Sequence, residues 1–390
     1  MAYYFLHPEK DTTLYSHPDR IYANTGHDEI IELAKEKSTT TGLYYPSRIL
    51  LKFKNEEIKD TISNIVTEAT FNSTTSTVSR VALQLMSTEH TSLTSVLNIE
   101  TFAISQSWQQ GSERYTDIKL GETSSNGTSW AYTDDTNFRT PWETINFATA
   151  TTGSVKTNQL TPGGGSWYTG SGFTATQQFL DGEVLDTNLD VTEIVQKWGK
   201  SLIDNSTYPT GIYNNGFIVK KPDSIETSTV TSFGEMKYFS SHTHTIYPPR
   251  LVFKWDDSNH SYNSLAKTSG ELNVSLYRNK EEYNQNEEAI IRVHVRDKYP
   301  SRQFTSGSNY LDVGYFKTTS YYSIRDAYTE EEVIPFDDDF TKMSADSEGM
   351  YFKLYMKGFQ PERYYRILFK HVNNDGITVY DDKYNFKVVR

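Results

Sequence analysis

The 390-residue sequence predicts an all-β fold on three observations. Short runs with strand character recur along nearly the whole chain. Stretches of Thr, Ser, Asn and Gly separate them, and these favour turns and extended chain over helix. The apolar mass rests on rings: 28 Tyr, 20 Phe and 6 Trp make 14% of the chain, within a hydrophobic share of 36%. A core of flat rings and β-branched residues suits packed sheets rather than leucine-rich helices.

Taken in order, Ser47 to Phe53, SRILLKF, reads as a buried strand, and Val78 to Met86 alternates with period two. Thr101 to Ser107 and Arg250 to Trp255 follow the same logic. Helical signals are few. His27 to Lys37 fits a helix or, through Ile30, Ile31 and Leu33, equally a strand. Asn55 to Ile65 sets Ile58, Ile62 and Ile65 at helical spacing. The clearest helix opens at Asp190, which with Glu193 makes a capping-box pattern. Val191, Ile194, Val195 and Trp198 then form one apolar stripe, with Trp198 as core anchor and Gly199 ending the helix.

Between Thr123 and Gly182 the composition turns polar, and Gly163, Gly164 and Gly165 follow Pro162. This predicts a long loop insertion over about 121–182, of a length that is usually functional or ordered by a partner. Its rings, Trp130, Trp142 and Trp167 with Tyr168, are the candidate partner-contact residues. Three placements fit the tryptophans: packed on the parent sheet, against a neighbouring subunit, or as a sugar-stacking platform. A polar stretch, Asp256 to Lys267, marks a boundary. It divides the chain into residues 1–256, a linker at 257–267 and a second domain at 268–390. Short strands at Leu272–Tyr277, Ala289–Arg296, Tyr351–Met356, Tyr364–Val372 and Tyr384–Val389 predict an immunoglobulin-like sandwich there.

Chemistry is hard to find. His242 and His244 flank Thr243 and would share a face on a strand, but no third metal ligand accompanies them, and two polar loop residues before Pro248 and Pro249 is the plainer reading. Asp337, Asp338 and Asp339 lack the spaced calcium-loop pattern and read as a solvated acidic turn. His17, Pro18 and Asp19 carry no triad pattern. Gly163 to Gly165 lack the Lys-Ser/Thr and helix of a phosphate loop. No catalytic residue, cofactor or metal site is predicted. With zero Cys there is no disulfide framework or thiolate site. No run reaches the roughly 18–20 apolar residues of a membrane helix, and no export signal opens the chain. The net charge of −12 speaks against nucleic acid.

Several of these segments come in a recognisable order. Asp11 to Tyr15, Asn24-Thr25-Gly26 before Glu29 to Ala34, SRILLKF, Val81 to Leu85 and the pair Trp108 and Trp130 are followed by Leu189 to Trp198, LDVTEIVQKW. Asn215-Gly216-Phe217, Phe239 to Ser241 and Pro248-Pro249 before Leu251 complete the run. In this the first 255 residues resemble the DNRLRE domain, expanded between Gly121 and Asp181. The resemblance implies a jelly-roll-like β-sandwich, related to carbohydrate-binding modules, ahead of the immunoglobulin-like one.

The combination is similar to virion structural proteins of large tailed phages. It implies a non-enzymatic component of the neck, tail or baseplate, assembled in the host cytoplasm. Its partners would be other virion structural proteins in multiple symmetric copies, with no nucleic acid and no membrane. The alternative is a carbohydrate-binding module or adhesin that recognises host-surface glycans. A glycan-degrading enzyme is a third reading.

Overall fold

The computed structural model describes residues 2–72, 78–88, 96–117, 126–135, 139–142, 146–147, 150–152, 163–203, 211–228, 234–300 and 313–390. The fold is an all-β sandwich architecture, with 44% of the described residues in strands and 12% helical. The chain forms two compact units that do not follow its linear order. One is Leu6–Glu68 with Val81–Val252. The other joins Met1–Phe5, Ala69–Arg80 and Phe253–Arg390. Among the described residues no helix is long and apolar enough to cross a membrane.

The first unit is built on β1 (Pro8–Tyr15), β2 (Ile30–Leu33), β3 (Tyr44–Phe53) and α1 (Asn55–Asp60). It continues with β4 (Ser79–Gln84, from Val81 onward in this unit), β5 (Leu97–Ala103), β6 (Thr174–Phe179), α2 (Thr192–Ile203), β7 (Phe217–Lys220) and β8 (Met236–Phe239). The main sheet runs β6-β5-β7-β3-β1, antiparallel throughout, with Lys35–Lys37 added to β3. SRILLKF is the C-terminal part of β3, and its Ile49, Leu50, Leu51 and Phe53 are fully buried. In the ambiguous segment 27–37, Ile30–Leu33 and Lys35–Lys37 are strand and nothing is helical. Ile30 and Ile31 are β-branched, and β2 pairs residue for residue with β8, Ile31 opposite Tyr238.

Both helices differ in detail from their sequence patterns. α1 continues as a π-wound turn over Thr61–Val66, which buries Ile58, Ile62 and Val66 and leaves Ile65 half-exposed. The wider winding advances the apolar face by one residue, a shift the 3.6-residue period does not anticipate. At α2, Asp190 Oδ1 accepts the amide of Thr192 at 3.2 Å and its hydroxyl at 2.6 Å. Val191, Ile194, Val195 and Trp198 are buried as the stripe requires. Gly199 does not end the helix, which runs on to Ile203. A mid-helix glycine costs about 1 kcal/mol relative to alanine, and a helix face buried this fully outweighs it. Trp198 rests on Phe217 of β7, ring centroids 4.5 Å apart.

The second unit is a sandwich of two sheets. Its strands are β9 (Leu272–Leu276), β10 (Glu282–Asn284), β11 (Glu288–Asp297), β12 (Ser320–Asp326), β13 (Glu332–Ile334), β14 (Ser344–Asp346), β15 (Gly349–Tyr355), β16 (Arg363–Asn373) and β17 (Gly376–Val389). One sheet has the order β9-β11-β15-β14 and the other β10-β17-β16-β12-β13. Tyr322 of β12 stacks on Phe352 of β15 at 4.1 Å, and Phe352 meets Phe369 of β16 edge-on at 6.2 Å. Rings therefore fill the space between the sheets. The stretch read as a linker is built into this unit. His260 bridges to Ala345, Asn263–Leu265 make a 3₁₀ turn, and Ala266 bridges to Tyr315. Residues 2–5 and 69–80 also belong here; Tyr3 donates its hydroxyl to Asp337 at 2.9 Å, and Phe71 packs against Phe253.

Candidate functional site

The rings singled out in the sequence come together, and they come together inside. Trp130, Trp142, Trp167 and Tyr168 are only 1%, 5%, 2% and 8% exposed. The three tryptophans share one cluster with Trp108, Leu14, Leu50, Ile104 and Ile218. Packing on the parent sheet is thus the placement the geometry supports, and no indole lies open as a platform. Trp108 and Trp142 donate their Nε1–H groups to the carbonyls of Asn215 and Ser129 at 2.9 and 3.0 Å. Much of the insertion around them, including 118–125, 143–145 and 153–162, lies outside the described residues.

What holds the insertion down is Arg48, in the middle of SRILLKF. Its guanidinium is fully buried, 4.6 Å from the Trp130 ring and 5.1 Å from that of Trp167. Nε and Nη2 donate to the two carboxylate oxygens of Glu226 at 3.1 and 2.6 Å, and Nη1 to the carbonyl of Gly164 at 2.6 Å. The fork geometry and the planar cation suit this combination of carboxylate and ring faces. Gly163, Gly164 and Gly165 all have positive φ, at 114°, 83° and 103°. A Cβ on Gly163 would stand 2.2 Å from the Trp130 carbonyl oxygen, and one on Gly164 2.6 Å from Arg48 Nη1. The triple glycine is therefore a close-approach device over Trp130 and Arg48.

The same buried region carries further cations. Lys220 Nζ sits 3.0 Å from Asp223 and 3.6 Å from both Glu226 and Glu100. Lys221 donates to the Gly234 carbonyl at 2.6 Å, and burial pulls its ammonium down to about 8. Lys35 reaches the Ile225 carbonyl at 2.8 Å, and burial lowers it too. Sequence reading missed this network. Its one visible signal is a charge inside an apolar strand, Arg48 between Ser47 and Ile49.

One open feature among the described residues of this unit is a groove of about 660 Å³. Five carboxylates line it, from Asp28, Glu29, Glu32, Glu36 and Glu235, against the cations of Arg114 and Lys237 and the rings of Tyr15 and Tyr115. Neighbours fix several of these groups. The Tyr15 hydroxyl donates to Glu32 at 2.8 Å, and burial raises the Glu32 carboxyl above its ordinary value. Asp28 accepts the Tyr115 amide at 3.1 and 3.2 Å, and the Arg20 guanidinium lies 3.8 Å over the Tyr115 ring. Such a wall accepts hydrogen bonds from hydroxyl, ammonium or guanidinium groups. Among the described residues, no group of three or more His, Asp or Glu is placed to hold a metal ion.

Beside the groove lies a polar network that the sequence did not reveal. Asp11, 1% exposed, accepts the amide and hydroxyl of Ser241 at 2.5 and 2.8 Å. Gln110 Nε2 donates to the Gly26 carbonyl at 2.7 Å and meets His242 Nε2 at 3.0 Å. His242 packs against His27, ring centroids 4.8 Å apart, while His244 is exposed and 3.8 Å from Glu29. The two histidines lie in a loop, not on one face of a strand. His17 is buried, and its Nδ1 accepts the Asp19 amide at 3.2 Å. Asp337 accepts the amides of Asp339 and Phe340, and Asp338 pairs with Lys370 at 2.9 Å, so the acidic run closes a turn.

Burial raises Asp11 to about 6 and lowers the fully buried His371 of β16 to about 4. Acid therefore acts in opposite directions at these two groups. Protonated Asp11 is favoured in the folded state, so its contribution is fully present below the unfolded value near 3.8 and is lost as pH rises through 6. Neutral His371 is favoured, so its contribution holds above 6.5 and is lost as pH falls toward 4. Each amounts to roughly 3 kcal/mol across its window. Amide exchange measured from pH 7 to pH 4 is expected to show opening near His371 growing easier, with β1 around Asp11 moving the other way. Parallel trends in both regions would refute these assignments.

No family model matches the chain, and no curated protein is similar to it.

Proposed function

We propose that the chain is a non-enzymatic structural component of a tailed-phage virion, in the neck, tail or baseplate region. In this reading it is a DNRLRE-type sandwich with a second sandwich, set among neighbouring subunits by protein–protein contacts. One observation carries the reading: the residues on which the resemblance rests are framework. Arg48 ties the insertion to the sheet, Leu189 to Trp198 brings in α2, and Asn215 to Phe217 opens β7. Arg48 and Asp11 are engaged in holding loops to the sheet. The outer surface is left for contacts, with carboxylates and tyrosines around the groove to meet basic neighbours.

The same groove favours one second reading, a module that binds host-surface glycans. Carboxylates would accept sugar hydroxyls there, and tyrosine rings would offer apolar faces. Mass spectrometry of purified particles separates the two. The intact chain at a fixed copy number per particle is the result expected of the structural component, and its absence from particles would sink that reading. A titratable glycan-array signal abolished by Tyr115→Ala would favour the module instead.

A further inference from the structure

The sandwich of the second unit is open along one side. There β9 ends one sheet, having β11 as its ladder partner, and β17 runs along the edge of the other. Among the described residues β10 covers β17 only at Lys387–Val389, so Gly376–Phe386 has β16 on one side and no strand on the other. A cleft of about 650 Å³ lies between these two edges. The edge of β9 faces into it. Glu271 and Tyr277 bond toward β11 through the Lys298 amide and the Arg292 carbonyl, so the backbone groups of Leu272, Val274 and Leu276 point outward while the Leu272 and Val274 side chains stay buried. The Tyr384 hydroxyl already engages β9 from that side, donating to the Val274 carbonyl at 3.2 Å, so the edge left for a new ladder is that of β17.

We propose that this cleft takes up an extended segment of a partner protein as an added strand, with Lys or Arg at alternate positions. The backbone edge of β17 supplies the ladder, and charge selects the occupant. Glu271, Asp375 and Asp382 line the cleft, while its cation, Lys298, is held by Glu271 at 2.7 Å. With Glu271 paired to Lys298, the acids that remain to select an occupant are Asp375 and Asp382, both exposed. Those acids would face each other if a second copy docked edge to edge, which disfavours self-pairing, whereas a basic strand neutralises them. Ile377 and Val379, 69% and 50% exposed on the same edge strand, offer apolar contact at alternate positions. A register shift opposite Ile367/Phe369, with Lys383 at φ 57°, breaks the edge of β17. The run Gly376–Tyr380 of β17 then accommodates an occupant of about five residues, roughly 17 Å long.

The probe is a blocked hexapeptide alternating Val and Lys, added to the full chain and followed by hydrogen exchange. Protection is expected at 376–380. Binding should be at least tenfold weaker for the same peptide N-methylated at alternate amides, and for its Val-Glu counterpart. The double change Asp375→Asn and Asp382→Asn should weaken binding at least fivefold while the melting temperature stays unchanged. Equal binding of the N-methylated peptide, protection elsewhere, or no binding would overturn the proposal. So would concentration-dependent self-association that protects the same amides without peptide, since the occupant would then be a second copy.

Discussion

Replacing Arg48 with alanine is expected to lower the stability of its unit by about 3–5 kcal/mol. The side chain is fully buried and makes three hydrogen bonds, two to Glu226 and one to the Gly164 carbonyl, between two indole faces. Its removal leaves the Glu226 carboxylate, itself 1% exposed, facing a vacated site. Lys220, 3.6 Å away, is already shared with Asp223 and Glu100 and cannot supply a fork. Arg48→Lys should recover only part of the loss, because an ammonium cannot meet both carboxylate oxygens and a carbonyl in one plane. Arg48→Met with Glu226→Gln should cost less than the sum of the single changes, since no buried charge is stranded. Urea unfolding followed by tryptophan fluorescence suits the test, because Trp108, Trp130, Trp142, Trp167 and Trp198 all lie in this unit. A loss below about 1 kcal/mol for Arg48→Ala would show that the ion pair does not hold the insertion.

Trp198→Ala is expected to cost on the order of 3–5 kcal/mol for a different reason. Here no charge is exposed; a cavity opens between α2 and β7. Trp198 is 0% exposed, and Phe217, its ring neighbour, is itself packed on Phe53 at 6.2 Å, so the wall around the void cannot readily collapse. Trp198→Phe should be markedly milder, since it keeps a ring over Phe217. An unchanged urea midpoint for the alanine variant would mean that α2 does not rest on the sheet.

The strands of this protein were legible where local pattern and tertiary placement agree. SRILLKF and RLVFKW are buried strands by composition alone, and they occupy β3 and Arg250–Trp255. Segments with competing signals were harder. Ile30, Ile31 and Leu33 fit either period, and only pairing with Met236–Phe239, 200 residues away, decides for strand. The π turn after α1 moves burial from Ile65 to Val66, which no fixed period captures. Gly199 looked like a stop because local propensity was read without the packing that overrides it. The tryptophans were recognisable as unusual in a polar stretch, yet their burial depends on Arg48, some 80 to 120 positions earlier. The groove and the Asp11 network are assembled from strands and loops far apart in sequence, so neither leaves a local motif.

The interleaved membership of the two units has a consequence for biosynthesis. Residues 2–5 and 69–80 emerge from the ribosome early, yet the unit they join cannot be completed until 253–390 have followed. During elongation these short apolar pieces, with Tyr3, Tyr4, Phe5 and Phe71 among them, must wait without their native neighbours. The nascent chain thus carries adhesive segments while the residues between 80 and 253 are made, a period of roughly ten to thirty seconds at about 5–20 residues per second. Acidic character is then useful well before any mature role, because like-charged growing chains on one polysome keep apart while the late strands are being made.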